Sequence, residues 1–254
     1  MHKLLFLLIC LIPFSVEAQN VSIPDANFKK ALMNAGVDKN HDGEIQESEA
    51  LLVTDLKISN APDLGDEDGN GAKSFEEYKY SSLEGIASFK NLVSLDCSFN
   101  NLKTIDLSKN TKLTILDCSC NHDLSVLDLS GNINLIKLSC SVNHMTSLNI
   151  SKNSNLKSLD CYSNYLTSLD VSNNPILENL NCGKNRLTII DVSKNLNLIS
   201  FSCSKNRLIT LDISNNLKIK SFFCTNNTLT KIYVDGNMNT MKFSKDPGAE
   251  WVKK

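Results

Sequence analysis

Oxygen-bearing side chains recur at every second position over a short run near the N-terminus. The run begins at Asp38, ends at Glu49, and has Gly43 at its sixth position, where a tight loop must turn sharply. Ca²⁺ takes about six to eight oxygen ligands, so a loop that binds it must supply an oxygen at almost every second residue. We therefore predict a calcium-binding loop. Its ligands would be Asp38, Asn40, Asp42, the carbonyl of Glu44, Gln46 and a bidentate Glu49.

A second acidic run follows and is less complete. Its candidate ligands are Asp66, Asp68, Asn70, the carbonyl of Ala72, Ser74 and Glu77. Both runs resemble the twelve-residue EF-hand loop, but Lys73 stands where an aliphatic residue normally pairs with a partner loop. The alternative for each run is a solvated acidic loop, and for the second run both readings stay open.

Most of the chain is a repeat of 21 residues, lengthened once by one residue. Each coil has a cysteine at a fixed position, an asparagine three residues later and a further asparagine near its end. The cysteines are Cys97, Cys118, Cys140, Cys161, Cys182, Cys203 and Cys224. The first asparagine column is Asn100, Asn121, Asn143, Asn164, Asn185, Asn206 and Asn227. The second asparagine column is Asn110, Asn132, Asn153, Asn174, Asn195, Asn216 and Asn237. A period of this length is typical of a solenoid.

Alternation of apolar and polar residues defines two short extended segments in each coil. Leu95 and Cys97 flank an outward residue, and Ile105 and Leu107 do the same on the other side of the coil. One coil cannot bury its apolar edge alone, so neighbouring coils must stack. We expect the asparagines to occupy the corners, where their amides satisfy backbone groups that lack strand partners.

Two motifs carry a resemblance to leucine-rich repeats. They are Leu92-x-x-Leu95-x-Cys97-x-x-Asn100-x-Leu102 and its near copy Leu102-x-x-Ile105-Asp106-Leu107-x-x-Asn110. This nesting resembles a 21-residue class found in secreted proteins of Bacteroidetes-type bacteria. The resemblance implies a mainly β, right-handed solenoid of about seven coils with parallel strands and a small α-helical, EF-hand-like N-terminal cap. It also implies binding to other molecules, most often proteins, and rarely catalysis.

The N-terminus has the features of a secretory signal peptide over residues 1–18. An apolar run is followed by Val16-Glu17-Ala18, a small-residue cleavage site, and the run is too short to span a bilayer. Lipid attachment at Cys10 is the alternative, which the bulky Ile9 before it disfavours. We expect a protein that is secreted or associated with the cell surface.

The remaining chain divides into a cap, a solenoid and a second cap. We predict an N-terminal cap over 19–81, the leucine-rich-repeat solenoid over 82–234 and a C-terminal cap over 235–254. Within the first cap we expect a helix over 22–36 capped by Ser22 or Asp25, an exit helix over 47–53, and a first solenoid strand over 54–58. At the far end, Met241, Phe243 and Trp251 would seal the last coil.

Eight cysteines remain after signal cleavage, an even number that would ordinarily suggest disulfides. Seven of them occupy one inward column, where Cα–Cβ vectors run parallel and fit a disulfide dihedral poorly. We therefore favour buried thiols over disulfides. Cys120 lies outside the column, at an exposed turn position, as a reactive thiol or a tolerated surface residue.

Charge and motif content exclude several functions. A net charge of −2 gives no electrostatic case for nucleic acid or anionic membranes. The column Asp106, Asp128, Asp170, Asp191 and Asp212 is expected to cap local turns. No nucleophile–base set is visible. We therefore predict a secreted, monomeric, non-enzymatic protein that binds a protein or surface glycan. The alternative is a dockerin-like calcium-dependent assembly module or surface adhesin.

Overall fold

A computed structural model describes residues 19–60, 78–235 and 242–254. These residues form a parallel β solenoid with two short helices at its N-terminal end, as the repeat predicts. The helices are α1 (Ala26–Asn34) and α2 (Glu47–Ala50). The strands are β1 (Asp55–Lys57), β2 (Ser94–Asp96), β3 (Ile115–Asp117), β4 (Lys137–Ser139), β5 (Ser158–Asp160), β6 (Asn179–Asn181), β7 (Ser200–Ser202), β8 (Thr210–Asp212), β9 (Ser221–Phe223), β10 (Lys231–Val234), β11 (Lys242–Ser244) and β12 (Glu250–Lys253).

One long sheet runs along the solenoid, and each of its strands comes from a different coil. Its order is β1-β2-β3-β4-β5-β6-β7-β9-β11, and every pair is parallel. The register places Leu95 opposite Leu116 and Leu116 opposite Leu138, so equivalent residues of successive coils stack. The pairing of β1 with β2 confirms the strand predicted over 54–58.

The interior is filled by stacked leucines and cysteines. In the first full coil, Leu92, Leu95, Cys97, Leu102 and Leu107 are all at most 1% exposed. Full burial of one such leucine contributes about 1.5–3 kcal/mol, and the contribution recurs in every coil. The core is therefore continuous along the axis, as the predicted inward positions require.

The second extended segment of each coil forms a regular strand only near the C-terminal end. Among the described residues, this sheet contains β8, β10 and β12, all parallel. In earlier coils the residues equivalent to Ile105 and Leu107 are buried, as the predicted inward positions require, but their segments form no regular strand. Lys231–Val234 is rich in β-branched and aromatic residues, which favours the regular pairing.

The first asparagine column connects neighbouring coils at one corner. The Asn164 Nδ2 donates to the carbonyls of Cys140 (2.9 Å) and Cys161 (3.2 Å), and its Oδ1 accepts from the Met145 amide (3.0 Å). Each such asparagine satisfies backbone groups in two coils, which confirms the predicted structural role.

The second asparagine column makes fewer hydrogen bonds. The Asn174 Nδ2 donates to the carbonyls of Ile150 (3.2 Å) and Asn153 (2.8 Å). Its buried Oδ1 has no hydrogen-bond partner among the described residues. The same holds for Asn110, Asn132, Asn153, Asn195 and Asn216. At this corner the prediction is therefore confirmed for the amide donors but not for the acceptor.

Helix α1 joins the cap to the first coils. Asp25 rather than Ser22 caps it: one carboxylate oxygen accepts from the amides of Asn27 and Phe28, each at 3.0 Å. The other oxygen accepts from the amides of Ser81 (2.9 Å) and Ser82 (3.2 Å), so a single side chain ties the helix to the start of the solenoid. Both predicted helices are shorter than expected, since α1 begins at Ala26 and α2 ends at Ala50.

Aromatic packing completes the junction between cap and solenoid. The Phe28 and Tyr80 rings are fully buried with centroids 5.5 Å apart, and the Tyr80 hydroxyl donates to the Ile58 carbonyl (2.8 Å). Gly85 has a φ of 101°, and a Cβ there would lie 2.8 Å from the Ser22 carbonyl oxygen. Cap and first coils therefore share one core and one set of backbone hydrogen bonds.

The C-terminal end of the solenoid has its own closing contacts. Trp251 packs edge-on against Phe243 (5.2 Å between centroids) and lies 6.3 Å from Phe222, which confirms the predicted sealing role. Met241 lies outside the described residues. The Asp246 carboxylate accepts from the Asn227 amide (3.0 Å), and the Lys245 ammonium donates to the Ala249 carbonyl (2.5 Å). Charged groups thus end the asparagine column.

Candidate functional site

The first acidic loop is closed by hydrogen bonds to its two end carboxylates. The Asp38 carboxylate accepts from the amides of His41 (2.7 Å) and Gly43 (3.1 Å). The Glu49 carboxylate accepts from the amides of Lys39 (2.6 Å) and Gln46 (3.0 Å). Both carboxylates are more than nine-tenths buried, so the first and last predicted ligands are held in place by the loop's own backbone.

The middle ligands converge on one another. The Asn40 Nδ2 donates to the Asp42 carboxylate (2.8 Å) and to the Gln46 Oε1 (3.2 Å), and the Gln46 Nε2 also donates to the Asp42 carboxylate (2.9 Å). The amide NH₂ groups therefore face the carboxylate. Turning either amide by half a rotation would present an oxygen instead. The set of oxygen-bearing side chains thus suits Ca²⁺. In the orientations described, the side-chain amides instead donate hydrogen bonds to other residues of the loop.

The metal prediction is otherwise untested. Among the described residues, no group of three or more His, Cys, Asp or Glu side chains is placed to hold a metal ion. The six candidate ligands of the second run, from Asp66 to Glu77, lie outside those residues. The carbonyl of Ile45 accepts from the Val21 amide (2.8 Å), so this strand of the loop pairs with the N-terminal segment. Calcium binding stays a prediction.

Aspartates on the side of the coil away from the long sheet cap local turns, as predicted. The Asp106 carboxylate accepts from the Ser108 amide (2.9 Å), and Asp170 does the same with Ser172 (2.9 Å). The hydrogen bonds from Ser108 lower the pKa of Asp106. These carboxylates therefore act on their own backbone and do not form a cation site.

The cysteines are unpaired and protonated. All eight cysteines among the described residues are free, and the seven in the column are buried. Burial raises the pKa of the Cys182 thiol and that of the Cys224 thiol to about 12 each. Cys120 is half-buried rather than exposed, and burial raises its pKa, which disfavours a reactive thiolate.

The most distinctive surface lies at the corner formed by the first asparagine column. The residue after each of these asparagines varies along the column, while the asparagine is constant. These residues are Asn101, His122, His144, Tyr165, Arg186, Arg207 and Thr228. A groove of about 500 Å³ runs along this corner beside Val142, Ser163 and Lys184. We call it the corner groove, defined by His122, His144, Tyr165, Arg186, Arg207 and these three residues.

The backbone turns sharply along one wall of the corner groove. The residue before each first-column asparagine has a φ between 52° and 59° in every coil, although none is glycine. These residues are Phe99, Cys120, Val142, Ser163, Lys184, Lys205 and Asn226. The left-handed turn lets the following asparagine point inward while its neighbours on both sides point outward. The frame thus displays two side chains per coil at fixed positions.

Three side chains of the corner groove stack across successive coils. The rings of His144 and Tyr165 lie 5.2 Å apart, and the Arg186 guanidinium carbon lies 4.5 Å from the centroid of the Tyr165 ring. Because the three residues come from consecutive coils, the tyrosine lies between the histidine and the arginine. Such a cation–π contact restricts the guanidinium and leaves its edge free to donate hydrogen bonds.

Positive charge concentrates at one end of the corner groove. Both arginines of the sequence, Arg186 and Arg207, lie there beside the exposed Lys184 and Lys205. The ion pairs among the described residues join Lys29 to Glu44, Lys157 to Glu178, and Lys254 to Asp212. None of these four cations is neutralised in this way, so this end of the corner groove is a cationic site within a weakly acidic protein.

Sequence reasoning missed the corner groove because it considered only the outward positions of the two extended segments. A signal was present: both arginines and two of the histidines occupy the same position of the repeat. The outward positions of the long sheet carry mainly small side chains, as predicted. Large and varied side chains are therefore concentrated at the corner instead.

Solved structures of bacterial repeat proteins are similar to this chain. Internalin C2 of Listeria monocytogenes aligns with a TM-score of 0.72 at 17% identity, over 87% of this chain and 93% of its own. A leucine-rich-repeat protein of Leptospira interrogans aligns with a TM-score of 0.59 at 21% identity, over 81% and 57%. The fold is that of a leucine-rich-repeat protein.

A further leucine-rich-repeat neighbour shares the stacked cysteines. The functional domain of InlJ from Listeria monocytogenes, which includes a cysteine ladder, aligns with a TM-score of 0.50 at 24% identity. The match covers 91% of this chain and 62% of that domain, so this chain spans less than two thirds of it. No family model and no curated protein sequence matches the chain.

The described helices are short. None of them combines the length and the apolar character that crossing a membrane would require.

Proposed function

We propose that this chain is a secreted, monomeric, non-enzymatic leucine-rich-repeat protein that binds a protein partner through the corner groove. The observation that carries the proposal is the contrast within each coil. The asparagine at the corner is constant, while the residue after it changes from the exposed His144 to the half-buried Tyr165 to the exposed Arg186. Tyrosine and arginine are enriched in residues that dominate binding energy at protein interfaces. A constant frame with a varied column is suited to recognition.

The N-terminal cap is proposed to be calcium-stabilised. The closed Asp38–Glu49 loop supports this, since its ends are fixed and its amides need only rotate to present oxygens. Calcium would supply a positive charge at the Asp42 carboxylate in place of the amide NH₂ groups. Asp38, Asn40, Asp42, Gln46 and Glu49 would hold it, with the Glu44 carbonyl. The role would be structural, because the cap shares its core with the solenoid.

Export and bacterial origin complete the proposal. The signal-like residues 1–18 support secretion or attachment at the cell surface, and the nested 21-residue repeat supports membership of the secreted bacterial class that it resembles.

Site-directed photo-crosslinking tests the partner proposal. A photoreactive residue is placed at Arg207 in the corner groove, or at Lys218 on another exposed face, and the full mature protein is incubated with proteins of its extracellular surroundings. We expect one protein to be crosslinked from position 207 and not from position 218. Equal crosslinking from both positions, or from neither, would refute the proposal. With a third probe at His41 in the first acidic loop, crosslinks from that position alone would favour the calcium-dependent assembly module.

A further inference from the structure

We propose that the corner groove recognises a cluster of carboxylates on an acidic segment of its protein partner. This inference rests on the proposed function and names the chemistry of the partner. Its basis is the arrangement of Arg186, Arg207, Lys184 and Lys205, which no acidic residue neutralises among the described residues.

The four cations come from two adjacent coils. Equivalent residues in stacked parallel strands lie about 4.8 Å apart, so the backbones that carry Arg186 and Arg207 lie at roughly this spacing. Successive acidic side chains of a flexible peptide can match such a spacing. The site therefore suits two or three neighbouring carboxylates better than a single anion.

The Arg186 side chain is pre-ordered for binding a carboxylate. One face of its guanidinium lies on the Tyr165 ring, which is itself backed by His144. The planar guanidinium still has its edge donors available, and these bind a carboxylate through two parallel hydrogen bonds. Part of the ordering of the arginine side chain is thus already achieved before the partner binds.

Two observations disfavour a long polyanion such as a nucleic acid or sulfated glycan. The faces of the Tyr165 ring are covered by His144 and Arg186, so no platform remains for stacking a base or a sugar. The cations are confined to two coils, and Asp117 and Asp160 lie on the neighbouring sheet face. A polyanion that extended past the groove would meet these negative charges.

Fluorescence anisotropy with a labelled hexaglutamate peptide tests the inference on the full mature protein. We expect binding that weakens with added salt. Arg186→Gln and Arg207→Gln should each reduce the affinity for the peptide by about tenfold. Arg186→Lys should recover only part of the affinity, because an ammonium lacks the guanidinium fork. Lys152→Gln removes one exposed charge away from the groove and should change affinity by less than about twofold.

The outcomes separate this inference from the proposed function. If a protein is crosslinked from position 207 but hexaglutamate does not bind, or binds equally to Arg186→Gln, the carboxylate inference is overturned and the interaction role stands. Tighter binding of heparin or single-stranded DNA than of hexaglutamate, with the same dependence on Arg186, would overturn it in favour of a polyanion. Circular dichroism of each variant verifies that the solenoid is intact.

Discussion

Val142 is the residue with the least favourable backbone in the corner of its coil. Its φ of 56° lies in the left-handed region, which β-branched residues very rarely adopt and which costs about 1–2 kcal/mol. Asn226 occupies the equivalent position in a later coil. We therefore expect Val142→Asn to raise the free energy of unfolding by about 1 kcal/mol, since asparagine tolerates this conformation. Urea denaturation measures the change.

Ser163→Asn is the matched control for this prediction, because Ser163 has a φ of 55° but no branch of carbon atoms at Cβ. Ser163→Asn should raise the free energy of unfolding by less than Val142→Asn does. Equal gains would show that asparagine stabilises the corner by hydrogen bonding rather than by relief of backbone strain.

Asp160 and Asp106 should respond to pH in opposite directions. Burial, and after it the charge of Asp117, raises the pKa of Asp160, while the hydrogen bonds from Ser108 lower that of Asp106. A raised folded-state pKa means that stability is lost as pH rises through it. A lowered folded-state pKa means that stability is lost as pH falls through it. Relative to wild type, Asp160→Asn should raise the free energy of unfolding most at neutral pH, whereas Asp106→Asn should lower it most there.

Unfolding in urea at pH 7 and near pH 3.5 measures both variants. Asn181 already accepts from the Gly183 amide in the next coil, so an asparagine at position 160 can keep the turn. The two differences from wild type should both shrink in acid. A pH-independent difference for Asp160→Asn would contradict the proposed electrostatic cause.

At the scale of the element, the two asparagine columns should differ in their contribution to stability. Asn164→Ala leaves two carbonyls and one amide without their side-chain partner, whereas Asn174→Ala leaves two carbonyls. Each unsatisfied buried group costs about 1–3 kcal/mol. We expect Asn164→Ala to lower the free energy of unfolding by at least about 1 kcal/mol more than Asn174→Ala. Equal losses in thermal or urea unfolding would mean that the acceptor bond adds nothing.

The elements differ in how far the sequence predicts them. The alternation of apolar and polar residues predicts the strand that contains Leu95 and the burial of Cys97. The cost of unsatisfied backbone groups at the corner predicts the burial of Asn100. The left-handed turn before each asparagine does not follow, because Phe99 and Val142 have no local preference for it. Stacking of the coils imposes that conformation, and with it the corner groove. The shape of the corner groove depends on this turn, so local sequence preferences do not predict it, although the shared repeat position of the two arginines does mark the corner.

For the whole molecule, calcium should stabilise both the cap and the solenoid next to it. Calcium at about 100 times its Kd would add about 2.7 kcal/mol to the unit that it stabilises. Contacts such as Asp25 with Ser82 and Tyr80 with Asn100 would transmit part of this to the first coils. We expect calcium to raise the melting temperature, and Glu49→Gln to abolish most of the rise. Thermal unfolding with calcium and with a chelator measures it.

Glu47→Gln is the matched control, since it removes a carboxylate from the same helix at a position outside the predicted ligand set. It should keep the full response to calcium. Identical melting of wild type in both conditions, together with no heat of binding by calorimetry, would reject the calcium loop while leaving the solenoid fold unaffected.

The register of the long sheet has a mechanical consequence. Each strand is hydrogen-bonded only to the coils directly before and after it, so a force applied to the chain ends would load one coil boundary at a time. Peeling off one coil would release 21 residues, roughly 70 Å of extended chain, in exchange for one strand spacing of about 5 Å. Both ends share the continuous core, and the last strands, β11 and β12, are paired in parallel with their neighbours. Under tension the protein would therefore lengthen in near-equal steps, one coil at a time.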